Sequence, residues 1–181
     1  MIDELEVLKI VIKRLELAGI PYMVTGSIAA NFYIIPRMTR DIDIVIEVVE
    51  EDVEKLHSLF SNGFYVEKDA IRDAICRKQL FNIIHKEGIV KVDFIVRKES
   101  KYRKTEFERR SSIMFEGLNI DIVAPEDLTL SKLLWARESL SEMQLRDVKN
   151  LLKTVAGLDV VYVEKWVKEL GLEEIYKRAK A

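Results

Sequence analysis

The sequence predicts an α+β fold: a small mixed β-sheet with flanking helices, followed by a C-terminal helical segment. Three observations carry this. Residues 41–48 read DIDIVIEV, an alternation that sends the isoleucines to one face of a strand and the acids to the other. Residues 80–85 and 89–96 are apolar runs on either side of Lys86-Glu87-Gly88, the pattern of an antiparallel hairpin. A hairpin after mixed strands and helices excludes a purely parallel sheet. From Pro125 onward only helical spacing remains. The chain therefore divides into a mixed core, residues 1–124, and a helical part, residues 125–181.

The elements follow in order. Leu5, Leu8, Ile12 and Leu15 line one helical face, ended by Gly19 and Pro21. Residues 22–25 form a short strand, and Gly26-Ser27 turns the chain into a second helix, residues 28–35, with Ser27 as its N-cap. Pro36 stops that helix. The alternating strand comes next, then a helix over 51–61 closed by Asn62-Gly63, then a short helix over 69–78. After the hairpin, residues 119–123 form another strand. Leucine and valine spacing then marks four helices, around Leu128 to Leu134, Leu145 to Val155, Val160 to Leu170, and residues 172–179.

Composition excludes several classes. Hydrophobic residues make up 49% of the 181, so the chain is not disordered. No apolar run approaches the ~18 residues of a spanning helix. The acidic, periodic N-terminus reads as a helix and not as a signal peptide. One cysteine, Cys76, cannot form an internal disulfide and reads as a packing residue, which points to the cytoplasm. A net charge of −2 excludes coating nucleic acid by bulk charge.

The chemistry concentrates in Thr25-Gly26-Ser27 and in the stretch Arg37 to Asp43. Asp41 and Asp43 lie two apart on a strand, so both carboxylates leave one face. Their oxygens suit Mg2+, which prefers carboxylate and phosphate oxygen. Gly26-Ser27 opens a helix whose free N–H groups suit a phosphate. A phosphate grip beside a paired-acid strand implies phosphoryl or nucleotidyl transfer.

The stretch TGSIAANFYIIPRMTRDIDIVIEV resembles the DNA polymerase beta-like nucleotidyltransferase superfamily, especially stand-alone prokaryotic members such as the abortive-infection-type enzymes and the aminoglycoside nucleotidyltransferases. The resemblance implies a third acid on a later strand, and Asp93, the one acid inside the run 89–96, fits. It further implies that Asp41 and Asp43 hold two Mg2+, that Asp93 completes the metal nearest the acceptor hydroxyl, and that Gly26 and Ser27 hold the triphosphate of an NTP. Arg37 and Arg40, which flank the acid pair, would either neutralise that triphosphate or pair with Asp41. Lys132, in EDLTLSKL, would approach that triphosphate from the helical part. Arg146 and Asp147 read as salt-bridge partners within their helix. The implied reaction moves a nucleoside monophosphate to a hydroxyl of tRNA or other nucleic acid, a protein, or a small molecule. The rival reading is an inactive nucleotidyltransferase-like binding module, an antitoxin or scaffold.

Residues 97–110, RKESKYRKTEFERR, hold seven basic and three acidic side chains. With Tyr102 and Phe107 interleaved, this run reads either as a solvated connector or as a grip on an acceptor nucleic acid. Trp135 and Trp166 read as core. His57 and His85 have no ligand partner at metal spacing.

Overall fold

A computed structural model of the chain describes residues 3–139 and 141–181. Helix α1 (Glu4–Leu17) starts at a capping box, in which Asp3 accepts from the Glu6 amide and Glu6 from the Asp3 amide. Its buried stripe is Val7, Leu8, Val11, Ile12 and Leu15, while Leu5 lies toward solvent. Strand β1 (Tyr22–Thr25) leads into α2 (Gly26–Ala30), which is five residues long. The sequence places this helix over 28–35 with Ser27 as cap. The backbone instead turns helical at Gly26, with Thr25 in the cap position, and unwinds before Pro36.

Strand β2 (Asp41–Ile46), helix α3 (Val53–Ser61), strand β3 (Phe64–Tyr65) and helix α4 (Lys68–Arg77) follow. The hairpin is β4 (Leu80–His85) and β5 (Lys91–Val96). Then come α5 (Lys101–Glu108), β6 (Ser111–Phe115), β7 (Leu118–Ile122), and the helices α6 (Pro125–Ser139), α7 (Glu142–Thr154), α8 (Val160–Glu169) and α9 (Glu173–Lys180).

The strands form one mixed sheet in the order β3-β4-β5-β2-β1-β7-β6. β2 pairs with β5, and β1 with β7, in parallel; the other neighbours are antiparallel. One face of the sheet carries Ile42, Ile44, Ile46, Val92, Phe94 and Val96. These are buried in one cluster with Leu8, Ile12 and Leu15 of α1 and Leu56 and Phe60 of α3. Phe60 packs on Phe94 at 5.3 Å between ring centres. Arg14 of α1 donates to the carbonyls of Leu59 and Asn62, supplying donors for the C-terminal end of α3. A second cluster joins α6 to α9 around Leu130, Leu133, Val148 and Trp166. Tyr102 of α5 belongs to this second cluster, and Leu128 and Leu151 belong to the first, so the two cores interlock.

The run 97–110 is neither a connector nor a free basic strip. It folds into α5, and its cations pair with acids inside the run and on other elements. Arg97 pairs with Glu47, Arg103 with Glu106, Arg109 with Glu126 and Asp127, and Arg110 with Asp121. Lys104 pairs with Glu99 and Lys101 with Glu169. Among the described residues, Lys98 is the one cation of the run without such a partner. Sequence adjacency cannot show this, because most of the partners lie on other elements. Cys76 is exposed, so it is not a packing residue. No helix among the described residues is long and apolar enough to cross a membrane.

Asp127 ties three helical segments together. Its fully buried carboxylate accepts from Arg109 Nε at 2.8 Å and from the Tyr162 hydroxyl at 2.7 Å, while its carbonyl accepts from the Tyr102 hydroxyl. Removing one partner of such a pair leaves the other uncompensated. Asp127→Ala should therefore lower unfolding free energy by about 3 kcal/mol. Replacing Arg103, Lys104, Arg109 and Arg110 together with Gln should likewise lower the urea midpoint; an unchanged midpoint would mean these pairs do not anchor the helical part.

Candidate active site

The parallel register of β2 and β5 pairs Asp43 with Asp93 and Asp41 with Lys91. All four side chains leave the face opposite the aliphatic core, as the alternation of buried and accessible residues requires. The three acids singled out in the sequence thus share one face. Asp93 is half-buried; its Oδ2 meets Lys91 Nζ at 2.9 Å, and its Oδ1 is buried without a hydrogen-bond partner. Lys91 Nζ also lies 3.5 Å from Asp41 Oδ1. Burial first, then the charges of Asp93 and Asp41, push the Asp43 carboxyl up to about 6.

Gly26 borders this cluster. Its φ of 66° is in the left-handed region, and a Cβ built on it would meet Asp43 Oδ2 at 2.0 Å. Glycine is required here twice, for backbone conformation and for room. A five-residue α2 has little macrodipole, so an anion beside it depends more on side chains than the sequence suggests.

Those side chains come from Arg37, α6 and α7. Arg37 Nη2 donates to Ser27 Oγ at 2.7 Å and to Asp147 Oδ2 at 3.2 Å. Lys132 Nζ donates to the same Asp147 oxygen at 2.9 Å and to Gln144 Oε1 at 3.0 Å. Burial alone would raise the Asp147 carboxyl, but Lys132 and Arg37 outweigh it and hold it below the usual range. Two cations share one carboxylate, and Arg37 Nε is buried with no partner. The cluster therefore carries an excess positive charge beside Ser27.

Asp147 is the functional candidate that sequence reasoning set aside. It is not a partner within its own helix; it joins α7 to Ser27 through Arg37. The signal was available, because Asp147 lies on the buried stripe of α7 with Leu145, Val148 and Leu151. Arg146 beside it is exposed. Arg40 is exposed and makes no ion pair among the described residues, whereas Arg37 is the arginine that reaches the Gly26-Ser27 turn. His85 is buried and accepts from the Gly88 amide, a structural role.

A cavity of about 500 Å3 opens beside these groups. Its lining includes Gly26, Ser27 and Asp43, the apolar Val45, Leu80 and Ile95 of the sheet, and Lys132 and Trp135 of α6. Trp135 is 46% exposed, so it is a cavity residue and not core, unlike the buried Trp166.

Neither a protein-family model nor a curated protein matches the chain. Solved structures do. An antigenic nucleotidyltransferase-like protein from Paracoccidioides brasiliensis matches at 16% identity and TM-score 0.55, over 94% of this chain and 90% of that one. The lincosamide antibiotic adenylyltransferase LnuA, lincomycin-bound, matches at 16% and 0.57, over 84% and 98%. ANT(2")-Ia in complex with adenylyl-2"-tobramycin matches at 13% and 0.58, over 94% and 97%. The chain has the nucleotidyltransferase fold. Within this fold Asp43 packs on Gly26, and Arg37 links Ser27 to Asp147 of α7, which also holds Lys132 of α6.

Two outcomes follow from this geometry. Gly19 has a similar φ of 64° but open space around its Cβ position. Gly19→Ala should cost only the left-handed penalty, about 1–2 kcal/mol. Gly26→Ala should cost clearly more in urea denaturation, since Asp43 must move; equal losses would refute the close packing of Asp43 on Gly26.

The folded Asp43 binds its proton more tightly than an unfolded aspartate, so stability without metal is lost as pH rises from about 4 to 6. Asp43→Asn should remove that loss and stabilise the metal-free protein at pH 7.5, by up to about 3 kcal/mol. Its advantage should vanish below pH 4. A destabilised Asp43→Asn protein at pH 7.5 would contradict the cost of burying this charge beside Asp93 and Asp41.

Proposed function

We propose that the chain is a Mg2+-dependent nucleotidyltransferase that moves a nucleoside monophosphate from an NTP to a hydroxyl of a small molecule. The observation that carries this reading is the juxtaposition of Asp43 and Asp93 with Ser27 and the net-positive cluster of Arg37, Lys132 and Asp147. One group suits a cation, the other a polyphosphate.

The donor set fits magnesium in kind: three carboxylates on one face, one with an unpartnered buried oxygen. Among the described residues no three such side chains are already gathered closely enough to hold an ion. Asp41, Asp43 and Asp93 are the residues that would hold it. When bound, magnesium supplies charge neutralisation and a more acidic hydroxyl. Ser27, Arg37 and Lys132 would hold the triphosphate and orient its α-phosphorus toward Asp93. Asp93 would accept the hydroxyl proton. The oxygen would then bond to the α-phosphorus, and the bond to pyrophosphate would break with its electron pair leaving on pyrophosphate.

Two features favour a small-molecule acceptor over a nucleic acid. The cavity volume is that of a small-ligand pocket. The cations of 97–110 other than Lys98, which would otherwise grip phosphates along a strand, are engaged in ion pairs. The similar structures of LnuA and ANT(2")-Ia, an antibiotic-bound adenylyltransferase and a protein bound to an adenylylated antibiotic, support the same class.

The test is incubation with each α-32P-labelled NTP and Mg2+, with either the small-molecule fraction of a cell lysate or total tRNA. Label should enter the small-molecule pool and vanish in Asp41→Ala/Asp43→Ala. Label on tRNA would overturn the acceptor class, and no transfer to any pool, together with no NTP binding, would overturn the enzyme reading. In calorimetric titrations Ser27→Ala should weaken Mg2+–NTP binding about fivefold, since one hydrogen bond contributes ~1 kcal/mol. The double aspartate variant should lose Mg2+-dependent binding altogether.

A further inference from the structure

We propose that Lys91 is a tethered counter-cation of the acid cluster: its ammonium holds Asp41 and Asp93 together in the metal-free protein and must leave before a divalent ion can bind. Lys91 thereby sets the affinity of the site for metal. This rests on the reading of Asp41, Asp43 and Asp93 as metal ligands.

The register is the first argument. In the parallel β2–β5 pair, Lys91 stands opposite Asp41 and two residues before Asp93, on the same face as both. Its Nζ touches Asp93 Oδ2 at 2.9 Å and Asp41 Oδ1 at 3.5 Å, so one ammonium bridges acids on two strands. Among the described ion pairs no other cation reaches either carboxylate. The acids lie where a cation is needed, and the chain supplies one itself.

The second argument is what the ammonium leaves undone. It serves one oxygen of Asp93, while the other stays buried and unpartnered, and Asp43 forms no ion pair among the described residues. Three carboxylates face the one ammonium of Lys91, with Lys132 adding a charge near Asp43 alone. A divalent ion would satisfy them better, yet it cannot sit between Asp41 and Asp93 with an ammonium within a few ångströms, because like charges at that range repel strongly.

The third argument is mobility of the side chain. Lys91 has 40% of its side chain exposed, against 4% for Lys132. Its flexible stem can swing into solvent without disturbing the core. Lys132 has no such freedom and remains with Asp147.

The probe is Mn2+, a hard oxygen-seeking divalent ion. Its binding is measured by calorimetry and by thermal denaturation with and without the ion, at fixed ionic strength. Lys91→Met and Lys91→Gln remove the charge; Lys91→Arg keeps it. The neutral variants should bind Mn2+ about tenfold more tightly than wild type. Their metal-free Tm should fall, and their rise in Tm on adding Mn2+ should exceed that of wild type. Lys91→Arg should stay close to wild-type affinity. If wild type binds Mn2+, Asp43→Asn abolishes binding, and both neutral variants bind no more tightly than wild type, the counter-cation proposal is overturned and the acids remain ligands. If neither wild type nor any Lys91 variant binds Mn2+, the proposal and the metal reading fall together.

Discussion

Parallel pairing of β2 with β5 in a single register is the constraint on which the site depends. It sets Asp43 beside Asp93 and Asp41 beside Lys91. The same two strands bury Ile42, Ile44, Ile46, Val92, Phe94 and Val96 on their other face. A slip of β2 by one residue would exchange its faces and drive Asp41 and Asp43 into an aliphatic core, so hydrophobic burial locks repelling acids side by side. Burial first, and then the charges of Asp93 and Asp41, raise the Asp43 carboxyl. The core thus stores an electrostatic demand that only a cation can meet.

An opposite demand stands across the Gly26-Ser27 turn. Lys132 and Arg37 converge on one oxygen of the buried Asp147 carboxylate, leaving more positive than negative charge there. These groups come from α6, from the segment before β2, and from α7, so the site requires both hydrophobic clusters to form. The pairs that Arg109 and Tyr162 make with Asp127 fasten α6 and α8 to α5 and the sheet. Stability of the helical part and geometry of the candidate site are therefore connected. A negative strand face opposed to a positive helical wall is the arrangement that suits a metal-bound polyphosphate.

Much of this was legible in the sequence, because it rests on period and local chemistry. The alternation of β2 and the apolar runs of the hairpin specify strands whatever their partners, and Asp93 stands out as a lone acid in an apolar run. What escaped depends on distant neighbours. Strand β3 is two residues long and β6 is mostly exposed, so neither has a hydrophobic signal. The run 97–110 reads as net positive only while Glu47, Asp121, Glu126 and Asp127 are out of view. Arg37 and Asp147 are separated by most of the chain, and nothing in either segment specifies that Ser27 joins them. Trp135 follows the spacing of a core residue, yet it lies where α6 turns from the packed face toward the cavity.

The central claim is that a divalent ion and a polyphosphate meet between the β2–β5 acids and the Lys132–Arg37 wall. The most direct measurement is a crystal structure with Mn2+ and a non-hydrolysable NTP analogue, with manganese located by anomalous scattering. The account predicts manganese on Asp43 together with Asp41 or Asp93, and phosphate oxygens on Ser27, Lys132 and Arg37. Manganese or phosphates bound away from this face, with Lys91 still bridging Asp41 and Asp93, would contradict it.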